Sequence, residues 1–359
     1  MNGDNDPVDP TAWSCPVRLR EYPQITMAHG GGGQLGADLV TDLFLPAFGA
    51  AALDAELTDA AVLAVGDGGP YRTAFTTDAH VVKPLFFPGG NIGTLAVNGT
   101  VNDLAMVGAQ PIALATAFVI EEGFELRLLD QIARSMGRAA KAANVRLVTG
   151  DTKVVEAGHG DGVYITTSGI GAVPVDLRVA PDRIQPGDCI IVSGPVGRHG
   201  IAVMSQREGL EFGTTITSDC APLGAVTADL IAAGIEVHAM RDLTRGGLLA
   251  GLCELADAAD VGLAIELGDV PVPDPVRAAC SFLGLDPLSV ANEGTFVVFV
   301  PASEADKVLA VMNSHPDTCK PAVIGTVVAD HPASVVGRTS LGGRRVLVRP
   351  MGEQLPRIC

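Results

Sequence analysis

Four aspartates in this sequence have the setting of metal or phosphate ligands: Asp78, Asp103, Asp151 and Asp242. Asp103 lies on a predicted helix, and the other three are predicted to stand where a strand ends in a polar turn. Hard cations such as Mg²⁺ take oxygen ligands, usually one or two carboxylates together with substrate phosphates. The set predicts a magnesium–nucleotide site, although each residue alone is better explained as a turn-forming or helix-capping aspartate.

A run of four glycines precedes a predicted helix over residues 34–48. The run consists of Gly30, Gly31, Gly32 and Gly33. Main-chain N–H groups in front of a helix can bind an anion such as phosphate. The glycine spacing also matches the dinucleotide fingerprint, but the strand that should precede it is too short. We therefore predict a loop that orders over a ligand, with a merely mobile loop as the alternative.

The last residue of the sequence is a cysteine, in Pro356-Arg357-Ile358-Cys359. Pro350 and Pro356 keep the approach to it out of helix and strand. We expect an arm that carries a nucleophilic thiol and reaches at most roughly 35 Å from Pro350. No residues follow the cysteine, so the ending is not a prenylation signal. Chance placement of a cysteine explains the ending about as well as function does.

Composition limits the classes of protein to consider. The 359 residues are 47% hydrophobic, and 24 basic against 41 acidic residues give a net charge of −17. This charge argues against nucleic acid and anionic membranes as partners. The seven cysteines form no C-x-x-C pair, which fits a reducing cytoplasm. The sequence shows neither a signal peptide nor a membrane span, so a cytoplasmic location is expected.

Predicted strands and helices alternate along the chain, which predicts an α/β or α+β protein. Their periodicity lapses over the proline-rich residues 174–187, so we expect two α/β domains and a flexible C-terminal tail. The expected boundaries are a disordered extension over 1–22, domains over 23–175 and 176–345, and a mobile tail over 346–359.

The order of the motifs resembles one known family. The motifs are His29-Gly30-Gly31-Gly32-Gly33, Pro84 to Gly93, Asn102-Asp103, Thr149-Gly150-Asp151-Thr152-Lys153, Ser218-Asp219-Cys220, Asp242 to Gly247, Asn292-Glu293-Gly294 and Pro356 to Cys359. Together they are similar to the HypE carbamoyl dehydratases of hydrogenase maturation. These belong to the superfamily of aminoimidazole ribonucleotide synthetase, selenophosphate synthetase and thiamine-monophosphate kinase. The aspartate and glycine motifs are shared across that superfamily, whereas the Pro-Arg-Ile-Cys ending is specific to this family.

The resemblance implies an ATP-dependent reaction on the last cysteine. A carbamoyltransferase (HypF type) would carbamoylate Cys359, and ATP would drive dehydration of the S-carboxamide to an S-cyanide. A cyanide-accepting complex (HypC–HypD type) would take the cyanide for the iron of [NiFe]-hydrogenase. The family also implies a homodimer, with ATP binding and dimerisation in the domain over 23–175, where strands of two subunits form a barrel.

The resemblance also implies roles for single residues. Cys359 would carry the substrate, Glu293 would act as the general base, and Lys153 would position the carboxamide or relay a proton. ATP would be bound by the glycine loop together with Asp78, Asn102, Asp103, Thr149, Gly150 and Asp151. Magnesium would be held by Asp78, Asp103, Asp151 and Asp242. Without the resemblance, Glu293 is more simply a strand-edge carboxylate and Lys153 a solvated cation.

Two other functions stay open at this level. One is an ATP-dependent kinase or synthetase of the same superfamily that acts on a diffusible small molecule, which would leave Cys359 without a role. The other is a non-catalytic maturation scaffold whose acidic surface recruits a basic partner. Slow ATP hydrolysis that depends on Cys359 would separate both from the carbamoyl dehydratase.

Overall fold

The computed structural model describes residues 24–30, 32–49, 58–64, 69–210, 214–349, 355 and 357–359. The predicted extension over 1–22 lies outside the described residues, as do Gly31 and Pro356.

The N-terminal half combines a five-stranded sheet, a separate two-stranded sheet formed by its third and fourth strands, and two long helices. Its strands are β1 (Ala61–Leu63), β2 (Tyr71–His80), β3 (Phe86–Phe87), β4 (Gly90–Asn91), β5 (Gln110–Glu121), β6 (Arg146–Val155) and β7 (Val163–Pro174). Its helices are α1 (Gln34–Asp38), α2 (Leu45–Phe48), α3 (Ile92–Met106) and α4 (Leu126–Ala142), with a π-helical turn over Leu39–Phe44 and a 3-10 turn over Met27–Gly30.

The five-stranded sheet has one covered and one open face. Its strand order is β1-β2-β7-β5-β6. Buried and less buried residues alternate along β7, as the period of a strand requires. On one face Phe118 and Ile120 pack against the core that includes α3 and α4. On the other face Phe75 and Val119 remain exposed, so this face carries apolar side chains that no described part of the chain covers.

Helix α3 begins at a capping box. The side chain of Asn91 accepts hydrogen bonds from the main-chain N–H groups of Gly93 and Thr94, and the Thr94 hydroxyl accepts one from the Asn91 N–H. These bonds satisfy donors that a helix start otherwise leaves free. The helix is buried on nearly all sides, which fixes the position of Asp103 near its end.

The C-terminal half is a second α/β unit around a seven-stranded sheet of order β14-β13-β10-β12-β8-β11-β9. Its strands are β8 (Asp188–Val192), β9 (Ala239–Asp242), β10 (Gly262–Glu266), β11 (Phe296–Pro301), β12 (Ala322–Val328), β13 (Ser334–Arg338) and β14 (Arg344–Leu347). Its helices are α5 (Arg198–Glu208), α6 (Gly224–Ala232), α7 (Gly247–Ala259), α8 (Asp274–Leu283) and α9 (Ala305–Ser314). Three 3-10 turns cover Pro181–Arg183, Pro287–Ser289 and Ala302–Glu304.

The mixed helix and strand content of both halves confirms the predicted α/β class. The predicted places of two aspartates within their strands are wrong. Strand β6 does not end before Thr149 but continues to Val155, so Asp151 lies inside it, and Asp78 lies inside β2. Pairing of β6 with β5 over this stretch outweighs the turn-forming composition of Thr149–Lys153. Asp242, at the end of β9, and Asp103, on α3, are placed as predicted. Among the described residues, none belongs to a helix long and apolar enough to span a membrane.

Candidate active site

Three carboxylates meet between the two halves of the chain. Asp59, Asp103 and Asp242 each offer an oxygen atom, and these oxygen atoms all lie within 4.8 Å of one another. The Thr76 hydroxyl donates to Asp103 Oδ2 at 2.9 Å. Oδ2 of Asp242 is buried and has no hydrogen-bond partner among the described residues. Crowded oxygen ligands with an unused acceptor fit a hard divalent cation such as Mg²⁺.

The crowding changes the acidity of all three groups. Burial raises the pKa of Asp59 to about 8, against the lowering effect of the Arg241 guanidinium. Burial also raises the pKa of Asp242 to about 6, and burial with the nearby Asp242 charge raises the pKa of Asp103 well above its usual range. Arg241 pairs with Asp59 at 2.9 Å and also with Glu254. The Arg241 guanidinium therefore offsets only part of the negative charge of the cluster, and a divalent ion would offset more.

Asp78 borders this cluster, since its charge adds to burial in raising the pKa of both Asp103 and Asp242, whereas Asp151 lies away from it. Asp78 is registered with Thr167 on β7, and Thr167 donates to Ala96 O of α3, so both side chains face the helices. The same row of the sheet continues through Thr116 of β5 to Gly150 of β6. Asp151 follows Gly150, so its side chain points to the open face of the sheet.

Lys153 lies on the open face as well. It is registered with the exposed Val119, and its ammonium group donates to Asp151 Oδ2 at 2.7 Å. This bond, together with the Thr152 N–H, lowers the pKa of Asp151. Thr149 is exposed on the same strand. Within one chain the fold therefore brings Asp103, Asp242 and Asp78 together, but neither Asp151 nor Lys153.

The glycine loop contacts the segment that follows β9. Arg245 Nη1 donates to Gly30 O at 3.1 Å. Gly32 has φ +67°, and a Cβ there would lie 2.7 Å from Arg245 Cβ, so a larger residue would clash. A Cβ at Gly246 would in turn lie 3.3 Å from Gly32 O. Gly30 and Gly32 thus close against Arg245, which follows Asp242 of the acidic cluster by three residues.

Glu293 is enclosed at the same junction. Its side chain is buried, and Oε1 has no hydrogen-bond partner among the described residues. Burial raises its pKa well above the usual range, and the charges of Asp78 and Asp242 add to this effect. The carboxylate of Asp219 fixes the main chain here by accepting from the N–H groups of Glu293 and Gly294, both at 3.1 Å. A Cβ at Gly294 would lie 1.9 Å from Asp219 O, so the main chain approaches closely here and only glycine fits.

A buried thiol, Cys220, lies near Glu293 and is contacted by the amide of Asn98. Asn98 Nδ2 donates to Cys220 Sγ at 3.4 Å, and Asn98 Oδ1 has no partner among the described atoms. Burial and the neighbouring Glu293 raise the pKa of Cys220 to about 12, so this thiol stays protonated. Two buried oxygen acceptors, Glu293 Oε1 and Asn98 Oδ1, thus lack a donor among the described residues, and a donor such as a carboxamide N–H would satisfy them.

Two residues predicted to bind ATP, Asn102 and Gly150, have structural roles in this chain. The Asn102 side chain donates to Ala221 O at 3.1 Å and to Glu293 O at 3.3 Å, and it accepts from Leu223 N at 2.7 Å. It therefore holds the two halves together beside Glu293. At Gly150 a Cβ would lie 2.4 Å from Thr116 O, so only glycine fits this part of β6. ATP binding by either residue stays a prediction.

The described residues of the tail are docked against both halves. Val81 N donates to Cys359 O at 3.0 Å and Lys83 N to Arg357 O at 3.1 Å, so the tail runs antiparallel to the chain that leaves β2. Ile358 is buried in the core that also contains residues of α3 and α5. Arg357 pairs with Asp161. Cys359 itself is partly exposed.

Three neighbours of the site were absent from the sequence analysis as functional residues: Asp59, His199 and Arg245. Asp59 stands directly before a short strand, where an aspartate is ordinarily a cap or turn residue. His199 and Arg245 have no chemical motif of their own. Only their distances to the other residues in the fold mark them, although Arg245 lies inside a motif quoted for the family.

Comparisons with known proteins agree with this architecture. Residues 57–173 match the family model of the AIR synthase related protein N-terminal domain, and residues 185–338 match that of its C-terminal domain. The carbamoyl dehydratase HypE of Rhizobium leguminosarum bv. viciae is 50% identical over 337 residues, which cover 94% of this chain and 95% of that protein.

Two solved structures are similar along nearly their whole length. A HypE–HypF complex contains a chain with a TM-score of 0.80 and 43% identity, covering 87% of this chain and 99% of that one. The hydrogenase maturation protein HypE in complex with ATP has a TM-score of 0.78 and 42% identity, covering 93% of this chain and all of that one.

The fold and the paired domain matches define a two-domain protein of the AIR synthase related class. Within that class, the chain belongs to the carbamoyl dehydratase HypE family, an enzyme family of hydrogenase maturation. The predicted resemblance and the prediction of an enzyme are both confirmed.

Proposed function

We propose that this protein uses ATP to dehydrate an S-carboxamide on Cys359 to an S-cyanide, which then supplies cyanide ligands to the iron of [NiFe]-hydrogenase. The main support is the docking of Leu355 and Ile358 in the core between the two halves. This docking brings Cys359 next to Val81, directly after the strand that carries Asp78. The thiol that would accept the small group and the enclosed acidic site are thereby joined in one chain.

The reaction balances with the groups named. The carbamoyl sulfur compound, Cys–S–C(=O)–NH₂, loses one oxygen and two N–H protons to become Cys–S–C≡N. ATP, when bound, supplies the phosphoryl group that makes this oxygen a leaving group, and it leaves as phosphate. The two nitrogen protons need an acceptor, and the carbon–nitrogen bond gains the electron pairs that the N–H bonds release. Water must be kept out, because it competes for the phosphoryl group.

Glu293 is the residue best suited to accept a nitrogen proton. Its Oε1 is buried without a partner among the described residues, and its pKa is raised by burial. A carboxylate with a raised pKa is a stronger base than a solvated one once it is ionised. Asn98 Oδ1, the second unused acceptor nearby, is suited to receive the other N–H and so to orient the carboxamide.

The acidic cluster is suited to hold magnesium and with it the phosphates of ATP. Asp103, Asp242 and Asp59 would bind the ion, with Asp78 at its border. The proposed roles of Asp151 and Lys153 require a second copy of the chain, because both lie on the open face of the sheet. The exposed apolar side chains of this face support the homodimer that the family resemblance implies.

The proposal includes two partners of stated chemistry. A HypF-type carbamoyltransferase would load Cys359, and the similar HypE–HypF complex supports this partner. A HypC–HypD-type complex would accept the cyanide. The proposal also includes a cytoplasmic location, where ATP is available and thiols stay reduced.

Intact-mass spectrometry tests the proposal. The purified protein is incubated with a carbamoyl donor system and then with Mg-ATP. We expect a mass increase by one carbamoyl group, followed by the loss of one water. Cys359→Ala should bind ATP like the parent and show neither change, since the acceptor thiol is gone.

Two results would contradict the proposal. One is carbamoylation of Cys359→Ala, which would place the acceptor elsewhere. The other is a loaded parent protein that hydrolyses ATP without losing water, as an enzyme acting on a diffusible substrate would. Cys319→Ala, which removes an exposed thiol, is the matched control and should behave like the parent.

A further inference from the structure

A buried histidine connects the tail to the loop beside Glu293. His199, on α5, is completely buried, with 0% of its surface exposed. Its Nε2 lies 2.9 Å from Ile358 O and its Nδ1 lies 2.8 Å from Ser218 Oγ. The Phe87 ring packs edge-on against the imidazole at a centroid distance of 5.3 Å, which fixes the ring plane. One side chain thus bridges the residue before Cys359 and a loop of the C-terminal half.

The partners of His199 assign its protons. A carbonyl oxygen can only accept, so Nε2 carries the hydrogen that is donated to Ile358 O. In the neutral ring Nδ1 is then an acceptor and receives the Ser218 hydroxyl. Ser218 Oγ in turn accepts the Cys220 N–H at 3.0 Å. Burial lowers the pKa of His199, which favours this neutral form. Each hydrogen bond in the series therefore has one donor and one acceptor.

The same loop fixes the proposed base. Asp219, between Ser218 and Cys220, accepts from the main chain of Glu293 and Gly294 and from the Thr295 hydroxyl at 2.8 Å. The loop is itself tied to the N-terminal half, because Ser218 N donates to Pro88 O at 2.9 Å. The position of Ile358 and the position of Glu293 are therefore both set by residues 218–220.

Apart from the main-chain bond from Val81 N to Cys359 O, the other polar tail contacts described act one residue further from the thiol. Arg207 Nη2 donates to Arg357 O at 2.6 Å, and Arg357 pairs with Asp161. Among the described contacts, the hydrogen bond to Ile358 is the one made by a side chain to the residue adjoining Cys359. The hydrogen bond from His199 to this peptide group fixes the direction in which Cys359 leaves the core.

We propose that His199 is a positioning residue. By hydrogen bonding to both the Ile358 carbonyl and the Ser218 hydroxyl, it aligns the Cys359 sulfur with Glu293. This inference rests on the proposed dehydration. His199 does not touch the reacting atoms. It acts through the tail on one side and through the loop over 218–220 on the other, so it matters for the docked position of Cys359 and not for loading of the thiol by a partner protein.

Alkylation of Cys359 tests the placement without any need for the reaction. The rate of iodoacetamide addition is followed on the Cys359 peptide by mass spectrometry, in the absence of ATP. His199→Gln keeps a donor at the place of Nε2, whereas His199→Asn keeps a group at the place of Nδ1 and loses the donor to Ile358. We expect His199→Asn to raise the alkylation rate about five- to tenfold, the size of one hydrogen bond, and His199→Gln to stay within about twofold of the parent.

A second set of variants guards against simple misfolding. Ser218→Ala removes the hydroxyl that orients His199 and should raise the alkylation rate about two- to fivefold. Ser205→Ala, which removes a hydroxyl from the same helix without a tail contact, should have no effect. His238→Asn, at a buried histidine bonded to Asp188, controls for general loosening and should also leave Cys359 as protected as in the parent.

The reaction gives the second readout. In single turnover of the carbamoylated protein, His199→Asn should slow the loss of water about as much as it exposes Cys359, while the ATP affinity stays that of the parent and carbamoylation is not slowed. His199→Gln should restore the rate. If His199→Asn and Ser218→Ala both leave the alkylation rate unchanged, or if His238→Asn raises it equally, the proposal is overturned. A parent protein that never forms thiocyanate would refute the proposed function alone, since the alkylation rates still test His199.

Discussion

Asp78 and Asp151 lie on opposite faces of the same five-stranded sheet. The row that contains Asp78 ends at Gly150, and Asp151 is the next residue along β6. One chain therefore cannot direct both carboxylates at one ion. If both serve a single magnesium–nucleotide site, Asp151 must come from a second copy of the chain packed on the open face.

Mixing of variant subunits tests whether Asp151 of one copy completes the site of the other copy. Asp103→Asn and Asp151→Asn should each weaken Mg-ATP binding, because a carboxylate ligand is lost. After exchange of subunits between the two variants, half of the dimers are mixed, and each mixed dimer has one site with both carboxylates. We expect about a quarter of all sites in the mixture to bind Mg-ATP with the affinity of the parent in calorimetry. Mixing Asp103→Asn with Asp242→Asn is the control and should restore nothing, since both residues belong to the same chain's cluster. Recovery in the control, or none in the test mixture, would contradict the shared site.

A substitution on the open face tests the homodimer itself. Val119→Glu places a charge on this apolar surface and should convert the protein to a monomer in sedimentation analysis, because burying an unpaired carboxylate is costly. The free energy of unfolding of the monomer should change little, since Val119 is exposed within one chain. Leu126→Glu, at a residue that is 81% exposed on α4, is the matched control and should leave the oligomeric state unchanged. A dimeric Val119→Glu protein would remove this face as the interface.

The acidic cluster should cost stability when no metal is bound. Asp242 lies among like charges, and burial holds its pKa at about 6, so its ionised form is disfavoured in the fold. Asp242→Asn removes this charge and should raise the Tm of the metal-free protein by about 2 °C or more. Magnesium should raise the Tm of the parent but not that of the variant, as calorimetry with and without chelator can show. Asp229→Asn, at an exposed carboxylate, is the control. A lower Tm for metal-free Asp242→Asn would show that the carboxylate is structural.

The raised pKa of Glu293 predicts that both the rate of dehydration and the free energy of unfolding depend on pH. Its pKa in the fold is raised above that of the unfolded chain, so the folded state binds more protons in the range between the two values, and stability falls as the pH rises through this range. Glu293→Gln, which cannot ionise, should therefore gain in Tm relative to the parent as the pH is raised from about 5 to 8.

The rate of dehydration should rise with pH, whereas the stability falls. Only the ionised carboxylate accepts a proton, so dehydration by the parent in single turnover should speed up with pH until Glu293 is ionised. Glu293→Gln should slow dehydration by about 10²–10⁴-fold and leave carbamoylation intact. Parent-like dehydration by Glu293→Gln would exclude Glu293 as the base and make Lys153 or a water the better candidate.

The sequence alone determined the class of fold, most of the elements and the family. Local periodicity carries this information: the alternating pattern of residues 163–173 predicts a strand from neighbouring residues alone, and the structure has the strand Val163–Pro174 there. The tight approach at Gly294 was also foreseeable, since a glycine directly after Glu293 has a steric meaning in the sequence itself.

Tertiary structure decided which of the candidate residues meet. Asp59 joins Asp103 and Asp242 only because the residues before β1, helix α3 and the end of β9 meet in the fold, and no local pattern in the sequence records such a meeting. The separation of Asp78 from Asp151 depends on strand register, where a shift by one residue reverses the face of a side chain. His199 and Ile358 are 159 residues apart in the sequence. Their contact forms only when packing of the folded core offsets the loss of conformational entropy on bringing such distant segments together.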